Sequence, residues 1–393
     1  MVIIMKIKLV SLVMCLVVLL VCGCSKDIIS MDDMSEDGDF VQESTNYLQS
    51  ESNLETTEVN EYQEYLNSIS PKYVLLDTTT PGFVGRWFEK KVRGINHMVT
   101  LNDGSALYFM TDGAKSFNVE FTLITEQVPY FAYSVDGSEP VRQLITSPVV
   151  ELPDDGKHIV RIFADGLYAY EGKWNYERGF AFKTVSVDMG DLFGIMPQSK
   201  VIAYYGDSIT EGIAALGSGN SSTTNSGTSA YPYFCSEVLG AVTYNAGYSA
   251  SGVCKEGSFK PFIEAIDNIS RLTKVDATFA PDVIVVNHGT NDSSYGSQEF
   301  ITELKKALDR LIEKYPDTPI FYMIPFGQYK ASDIRSTIAL YAGKADITIV
   351  ETQSWSIQFM DGVHPTAKGA KEAGEKLASA IKAKLGKEFF AVG

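Results

Sequence analysis

The sequence predicts two folded parts: an all-β domain over residues 71–192, then an α/β domain on a parallel sheet over residues 193–393. Three observations carry this. Asp-Gly dipeptides recur at Asp103-Gly104, Asp112-Gly113, Asp136-Gly137, Asp155-Gly156 and Asp165-Gly166 between short apolar runs, the spacing of hairpin turns in a sandwich. After about Lys200, five short apolar runs alternate with helix-period stretches, which is the pattern of βα units. An apolar content of 45% in 393 residues is enough for two cores and excludes a wholly disordered or collagen-like chain.

The opening stretch is of a different kind. Lys6 and Lys8 precede an apolar run from Leu9 to Cys22, broken only by Ser11, that ends in Val21-Cys22-Gly23-Cys24. A basic start, a short apolar middle and a small residue before the cut describe an export signal over residues 1–23. The cut before a cysteine resembles the lipobox of bacterial lipoproteins. That resemblance implies that Cys24 is a lipid anchor, that the chain meets a membrane through it, and that the protein sits at the bacterial cell surface. A plain secretory signal or a signal anchor is the alternative reading, although the run is short for a membrane span. Residues 24–70 then read as a disordered tether: from Ser25 to Ser70 twelve acidic residues face Lys26 alone, which accounts for −11 of the formal charge of −16. The same acidity argues against nucleic acid as a partner.

In the β domain, Ala106–Met110, Asn118–Leu123, Tyr130–Ser134 and His158–Phe163 are expected as strands. Trp87, Trp174, Tyr168 and Tyr170 are read first as core aromatics, with a platform for sugar rings as the other possibility. In the α/β domain the expected strands are Val201–Tyr205, Ala241–Asn245, Val283–Asn287, Ile320–Ile324 and Ile347–Val350. Gln298–Tyr315 is expected as a helix, with Ile301, Leu304, Leu308, Leu311 and Ile312 on one face. A second helix begins near Ala230, and the last runs from about Thr366 to Leu385.

Such a sheet binds ligands beyond the carboxyl ends of its strands, so chemistry is sought there. The first strand ends in Gly206-Asp207-Ser208-Ile209-Thr210-Glu211-Gly212 and the second in Asn245-Ala246-Gly247. The third ends in Gly289-Thr290-Asn291-Asp292, and Asp361-Gly362-Val363-His364-Pro365 precedes the final helix. Taken singly each is an ordinary loop feature; their order and shared position at strand ends are not. Acyl transfer needs a hydroxyl, a base and an orienting carboxylate, which Ser208, His364 and Asp361 supply. The N–H groups of Ser208 and Gly247 and the amide of Asn291 are the candidate oxyanion donors. Of the other histidines, His97 and His158 fall in the β domain, and His288, in a buried strand without a carboxylate at fixed offset, is the competing base.

These four blocks resemble those of the SGNH (GDSL-type) serine hydrolases, in order and at plausible spacing. The resemblance implies a flavodoxin-like three-layer fold, with Ser208 as nucleophile, His364 as base, Asp361 as its partner, and Ser208, Gly247 and Asn291 as the oxyanion hole. A β domain placed before such a domain is similar to carbohydrate esterase family 2, in which a jelly-roll module precedes an enzyme that removes acetyl groups. Tyr133-Ser134-Val135-Asp136-Gly137 and the run Asp155 to Arg161 are similar to hairpins of that module.

Three features remain. Gly217–Ser229, thirteen consecutive Gly, Ser, Asn and Thr residues, is expected as a mobile loop beside the site, as slack more than as a lid. Trp355 is a candidate substrate wall or, equally, a packing residue. Cys235 and Cys254 are the cysteines left for the folded part, and their pairing is open.

The reading is a serine esterase acting on O-acetyl groups of a carbohydrate, without a metal or cofactor and with no oligomeric state implied. The alternatives are a lysophospholipase or thioesterase, which needs an apolar channel, and a carbohydrate-binding lipoprotein with a vestigial site.

Overall fold

The computed structural model describes residues 74–75 and 82–391. The export signal, the acidic tether and Cys24 lie outside the described residues.

The first half is β throughout except for one helical turn. Its elements are β1 (Val74–Leu75), β2 (Gly82–Val84), β3 (Trp87–Val92), β4 (Ile95–Thr100), β5 (Ala106–Asp112), β6 (Ser116–Phe121), β7 (Tyr130–Val135), β8 (Val141–Leu144), β9 (Val149–Glu151), β10 (Lys157–Gly166), α1 (Lys173–Tyr176), β11 (Phe180–Val187) and β12 (Asp191–Met196). They form two antiparallel sheets. One runs β1-β12-β5-β10-β7-β8 with β2 also on β5, and the other β3-β4-β11-β6-β9. Alternate residues of the facing strands, among them Leu107, Phe109, Phe117, Val119, Phe131, Val160, Ile162 and Phe180, meet as a buried core, as expected of a sandwich.

The second half alternates strand and helix: β13 (Val201–Gly206), α2 (Ser208–Glu211), α3 (Tyr231–Leu239), β14 (Val242–Gly247), α4 (Phe262–Asp267), β15 (Val283–Asn287), α5 (Ser297–Lys314), β16 (Ile320–Met323), α6 (Ala331–Ala339), β17 (Ile347–Val350) and α7 (Ala367–Leu385). The sheet is parallel, in the order β14-β13-β15-β16-β17. This is the flavodoxin-like order, and it reverses direction at β13, so a crevice opens at the carboxyl end of β13. Period-two alternation divides each strand between two cores. Tyr205, Ile284, Val286 and Tyr322 pack under α4, α5 and α6, whereas Ile202, Tyr204, Val285 and Phe321 pack under α3 and α7.

The helices follow from local chemistry. α5 buries Phe300, Leu304, Ala307, Leu308 and Leu311. Its buried face centres on Phe300, with Ile301 and Ile312 only half-buried at its margins, a small rotation from the expected stripe. α7 starts at Thr366, whose Oγ1 accepts the Gly369 N–H at 3.1 Å. It crosses α3 closely because Gly374 has no side chain: a Cβ there would lie 2.7 Å from Phe234 Cβ and 2.8 Å from Tyr231 O.

Candidate active site

β13 ends in Gly206, where a Cβ would sit 2.0 Å from Thr210 Oγ1, so the chain can fold back at once into α2. Asp207 caps that turn: its Oδ1 accepts the Ile209 N–H at 2.9 Å. Ser208, almost wholly buried, is thereby the first helical residue, and its own N–H has no acceptor within so short a helix.

His364 reaches Ser208 from the loop before α7. Its Nε2 lies 2.8 Å from Ser208 Oγ, and its Nδ1 lies 2.7 Å from Asp361 Oδ2. The carboxylate can only accept, so the proton sits on Nδ1 and Nε2 accepts from the serine hydroxyl. Asp361 Oδ1 meanwhile takes the backbone N–H groups of Val363 (3.0 Å) and His364 (2.8 Å), which locks the four-residue turn. Partial burial opposes the Asp361 charge, but the His364 backbone and ring and the Val363 N–H outweigh it and hold the carboxyl at about 2.

The three expected oxyanion donors differ in availability. The Ser208 N–H, at the start of α2, has no intrahelical acceptor. The Gly247 N–H donates to Asn245 Oδ1 at 2.8 Å. Asn291 Nδ2 donates to Ser251 O at 3.0 Å and, more weakly, to Asp207 Oδ2 at 3.3 Å. Burial, opposed by the Ile209 N–H and reinforced by Asp292, raises the Asp207 carboxyl to about 7. Asp292 itself is wholly buried and receives the N–H groups of Val253 (2.9 Å) and Cys254 (2.8 Å), fixing the loop that carries Ser251.

His288 is not placed to act as a base. It is buried against the Phe262 ring, its Nδ1 has no hydrogen-bond partner among the described residues, and desolvation drives it down to about 3. Trp355 is half-buried and packs on Phe326 with ring centroids 6.1 Å apart, on the α3 and α7 side of the sheet. Trp87 is a core residue, its Nε1 donating to Val84 O and Ala106 O. Cys235 and Cys254 are both free thiols, each pushed up to about 12 by burial.

One expectation is overturned. Gly217–Ser229 is a clamp between the halves, not slack. Arg142, on β8, donates to the carbonyls of Ser222 (2.9 Å), Thr223 (3.0 Å) and Asn225 (2.8 Å) and pairs with the buried Asp165 carboxylate. Asp165 in turn accepts from Ser226 Oγ (2.9 Å) and the Thr228 N–H (2.8 Å), and Asn225 Nδ2 donates to Leu167 O (2.7 Å). A run of small polar residues looks featureless because the bonds that tie it to the β half go to Arg142, Asp165 and Leu167, far away in the chain.

Sequence reasoning also missed three residues that support the site from behind. Lys173 pairs with Glu211 of α2, both wholly buried. Glu211 Oε2 accepts the Ser249 N–H at 2.6 Å, just past Gly247. Asn102, on the turn after β4, donates to Gly247 O at 3.2 Å. Glu211 lies inside the serine block, where its spacing from Ser208 was a signal; Lys173 and Asn102 come from the other domain, with no local one.

The family model described as GDSL-like Lipase/Acylhydrolase matches residues 204–372, from inside β13 into α7. Those residues form a GDSL-type hydrolase domain. The match places an acylhydrolase-type domain in this chain. It is 24% identical over 303 residues to an acetylxylan esterase of Xylanibacter ruminicola, covering 62% of this chain and 60% of that relative's length. Among solved structures it is similar to a family two carbohydrate esterase from Clostridium thermocellum, solved in complex with cellohexaose (TM-score 0.64, 19% identity, 78% of this chain and 99% of that one). It is also similar to an acetyl xylan esterase from the rumen bacterium Butyrivibrio proteoclasticus (TM-score 0.63, 16% identity, 80% and 98%). Both extend over the β half as well, so the GDSL domain and the sandwich together have the fold of family 2 carbohydrate esterases.

Proposed function

We propose that the chain removes O-acetyl groups from a carbohydrate, with Ser208 as nucleophile, His364 as base and Asp361 as the carboxylate that orients it. The observation that carries this reading is the continuous relay from Ser208 Oγ through His364 to Asp361, at 2.8 and 2.7 Å. The carbohydrate and the acetyl group are supported by the relatives, one named for acetylxylan and one solved with cellohexaose.

In the first step Ser208 Oγ bonds to the acetyl carbonyl carbon as its proton passes to His364 Nε2. Asp361 stabilises the imidazolium so formed. The carbonyl oxygen takes the negative charge opposite the Ser208 N–H. Asn291 can join it by exchanging its long bond to Asp207, and Gly247 by sharing its N–H with Asn245. The C–O bond to the sugar then breaks, the alkoxide takes the proton from His364, and acetyl-Ser208 remains. Water, deprotonated by the freed Nε2, adds to that ester; the bond from carbon to Ser208 Oγ then breaks, Oγ takes the proton back from His364, and acetate leaves. The test is acetate release from acetylated xylan and a matched 4-nitrophenyl ester series, beside Ser208→Ala. Activity confined to short acyl groups and lost in the variant supports the reading; a preference for long acyl chains moves it to the lipase branch.

The membrane reading is part of the proposal: a lipid on Cys24 holds the enzyme at the cell surface, with residues 25–70 as tether. Cys24→Ala should move the protein from the membrane fraction to the soluble one.

A further inference from the structure

A cavity of about 200 Å³ opens between the two halves, lined by Tyr170, Trp174 and Asn175 from the β half and Glu256, Ser258 and Phe259 from the GDSL domain. Both walls are tied to the serine's helix. Lys173, next to Trp174 in the chain, pairs with Glu211, three residues beyond Ser208. Ser249, whose N–H also goes to Glu211, accepts the Ser258 N–H at 2.8 Å. One wall of the cavity is thus hydrogen-bonded to Ser249, two residues past Gly247.

Its chemistry is that of a sugar site. Tyr170 is 49% exposed, with its ring 5.9 Å from that of Tyr168. Trp174 stands edge-on to Phe259, with centroids 4.8 Å apart and planes at 86°, and Phe259 is itself stacked on Tyr248 at 4.0 Å, so the indole is held in one orientation. Ser258 Oγ is shielded from solvent and has no hydrogen-bond partner among the described residues. Aromatic surface with a few polar groups is how proteins bind pyranose rings, whose C–H faces are apolar and whose edges carry hydroxyls. No lysine or arginine lines the cavity, and Glu256, paired with Lys260 at 2.6 Å, leaves it neutral or slightly acidic. A phosphate or a uronate is disfavoured. The volume lies below the roughly 300 Å³ at which sites for drug-sized ligands begin, which suits a single ring.

We propose that this cavity is a subsite for one neutral, unacetylated sugar ring of the chain whose acetylated residue lies at Ser208. This rests on the carbohydrate reading of the active site and gives the β half a share in substrate recognition.

The test has two arms. Xylohexaose and cellohexaose are titrated calorimetrically into Ser208→Ala and into Ser208→Ala with Tyr170→Ala. In parallel, the parent chain, Tyr170→Ala and Trp174→Phe are assayed on acetylated xylo-oligosaccharides and on 4-nitrophenyl acetate. The subsite predicts that Tyr170→Ala weakens hexasaccharide binding about tenfold, the scale of one lost ring contact. It also predicts that the ratio of kcat/KM on the oligosaccharide to that on 4-nitrophenyl acetate falls by a similar factor, through KM. No hexasaccharide binding, binding indifferent to Tyr170, or an equal fall on both esters overturns it. Tyr170-dependent binding in a parent chain that hydrolyses no ester sustains the subsite and removes the esterase reading. Hydrolysis with Tyr170-independent binding does the reverse.

Discussion

The Lys173 ammonium, on the β half, and the Glu211 carboxylate, at the end of the Ser208 helix, form an ion pair with no exposure to solvent on either side. Burial works against both charges: it raises the Glu211 carboxyl, while at Lys173 it is outweighed by Glu211 and Asp103, which raise the ammonium's pKa and keep the pair ionised. Because Glu211 also receives the Ser249 N–H, one carboxylate joins the β half, the serine turn and the Gly247 turn.

Lys173→Met leaves that carboxylate buried without its cation. The loss of stability should be about 3–5 kcal/mol, the usual cost of breaking a buried pair from one side. Urea denaturation measures it, and a midpoint equal to that of the parent would mean the pair is not formed in solution.

Asp361→Asn keeps the two backbone N–H contacts but turns the amide toward His364, favouring the tautomer with its proton on Nε2, facing Ser208. We expect kcat to fall about 10²–10⁴-fold with KM nearly unchanged. The parent carboxyl sits at about 2 and its side chain is 40% exposed, so its stabilising effect, present above the ordinary carboxylate range, is lost only as pH falls toward 2. A fall in activity between pH 7 and 5 therefore belongs to another group than Asp361. Thermal melts of the parent from pH 7 to 5 should show no step that Asp361→Asn removes.

Asn291→Ala should lower kcat by about 10²–10³-fold, as loss of one oxyanion donor does elsewhere. Steady-state kinetics on 4-nitrophenyl acetate will show whether the amide leaves Asp207 for the substrate. A change in KM alone would assign Asn291 to ground-state binding.

Asp207 makes stability depend on pH in the direction opposite to Asp361. Its folded pKa, about 7, lies above the unfolded value, so between roughly pH 4 and 7 the native state binds more protons. This group's contribution falls as pH rises through that window. Asp207→Asn lacks it, so the Tm difference between variant and parent should shift in favour of the variant from pH 4 to 7. A constant offset would show that Asp207 is already ionised.

Arg142→Ala removes the donor to three loop carbonyls and leaves Asp165 without its cation, held only by Ser226 and Thr228 among the described residues. Amide exchange in residues 225–228 should accelerate by orders of magnitude while the strands of the parallel sheet keep their protection. Uniform acceleration across both halves would instead mean that the clamp holds the whole molecule together.

Strand positions were legible because parallel strands buried on both faces must be runs such as Val283–Asn287, and α5 because its apolar period is long. The serine and histidine blocks were legible for a related reason: each is a turn whose own residues complete it, Asp207 capping Ile209 and Asp361 closing on His364. β3 and β11 were not placed individually, since Lys90, Lys91, Lys183 and Thr184 break their apolar alternation at the solvent face.

By itself, then, the sequence determined the order of the two architectures and the strand ends and turns that bring Ser208, His364 and Asp361 into hydrogen-bond reach, because these depend on local periodicity and turn chemistry. Tertiary structure alone decided that Gly217–Ser229 is a clamp, that Lys173 and Asn102 stand behind the Ser208 and Gly247 turns, and that Tyr170 and Trp174 share a cavity with Ser258. Each of these joins residues far apart in the chain, and a buried charge or an exposed ring acquires its meaning from a partner that no local pattern names.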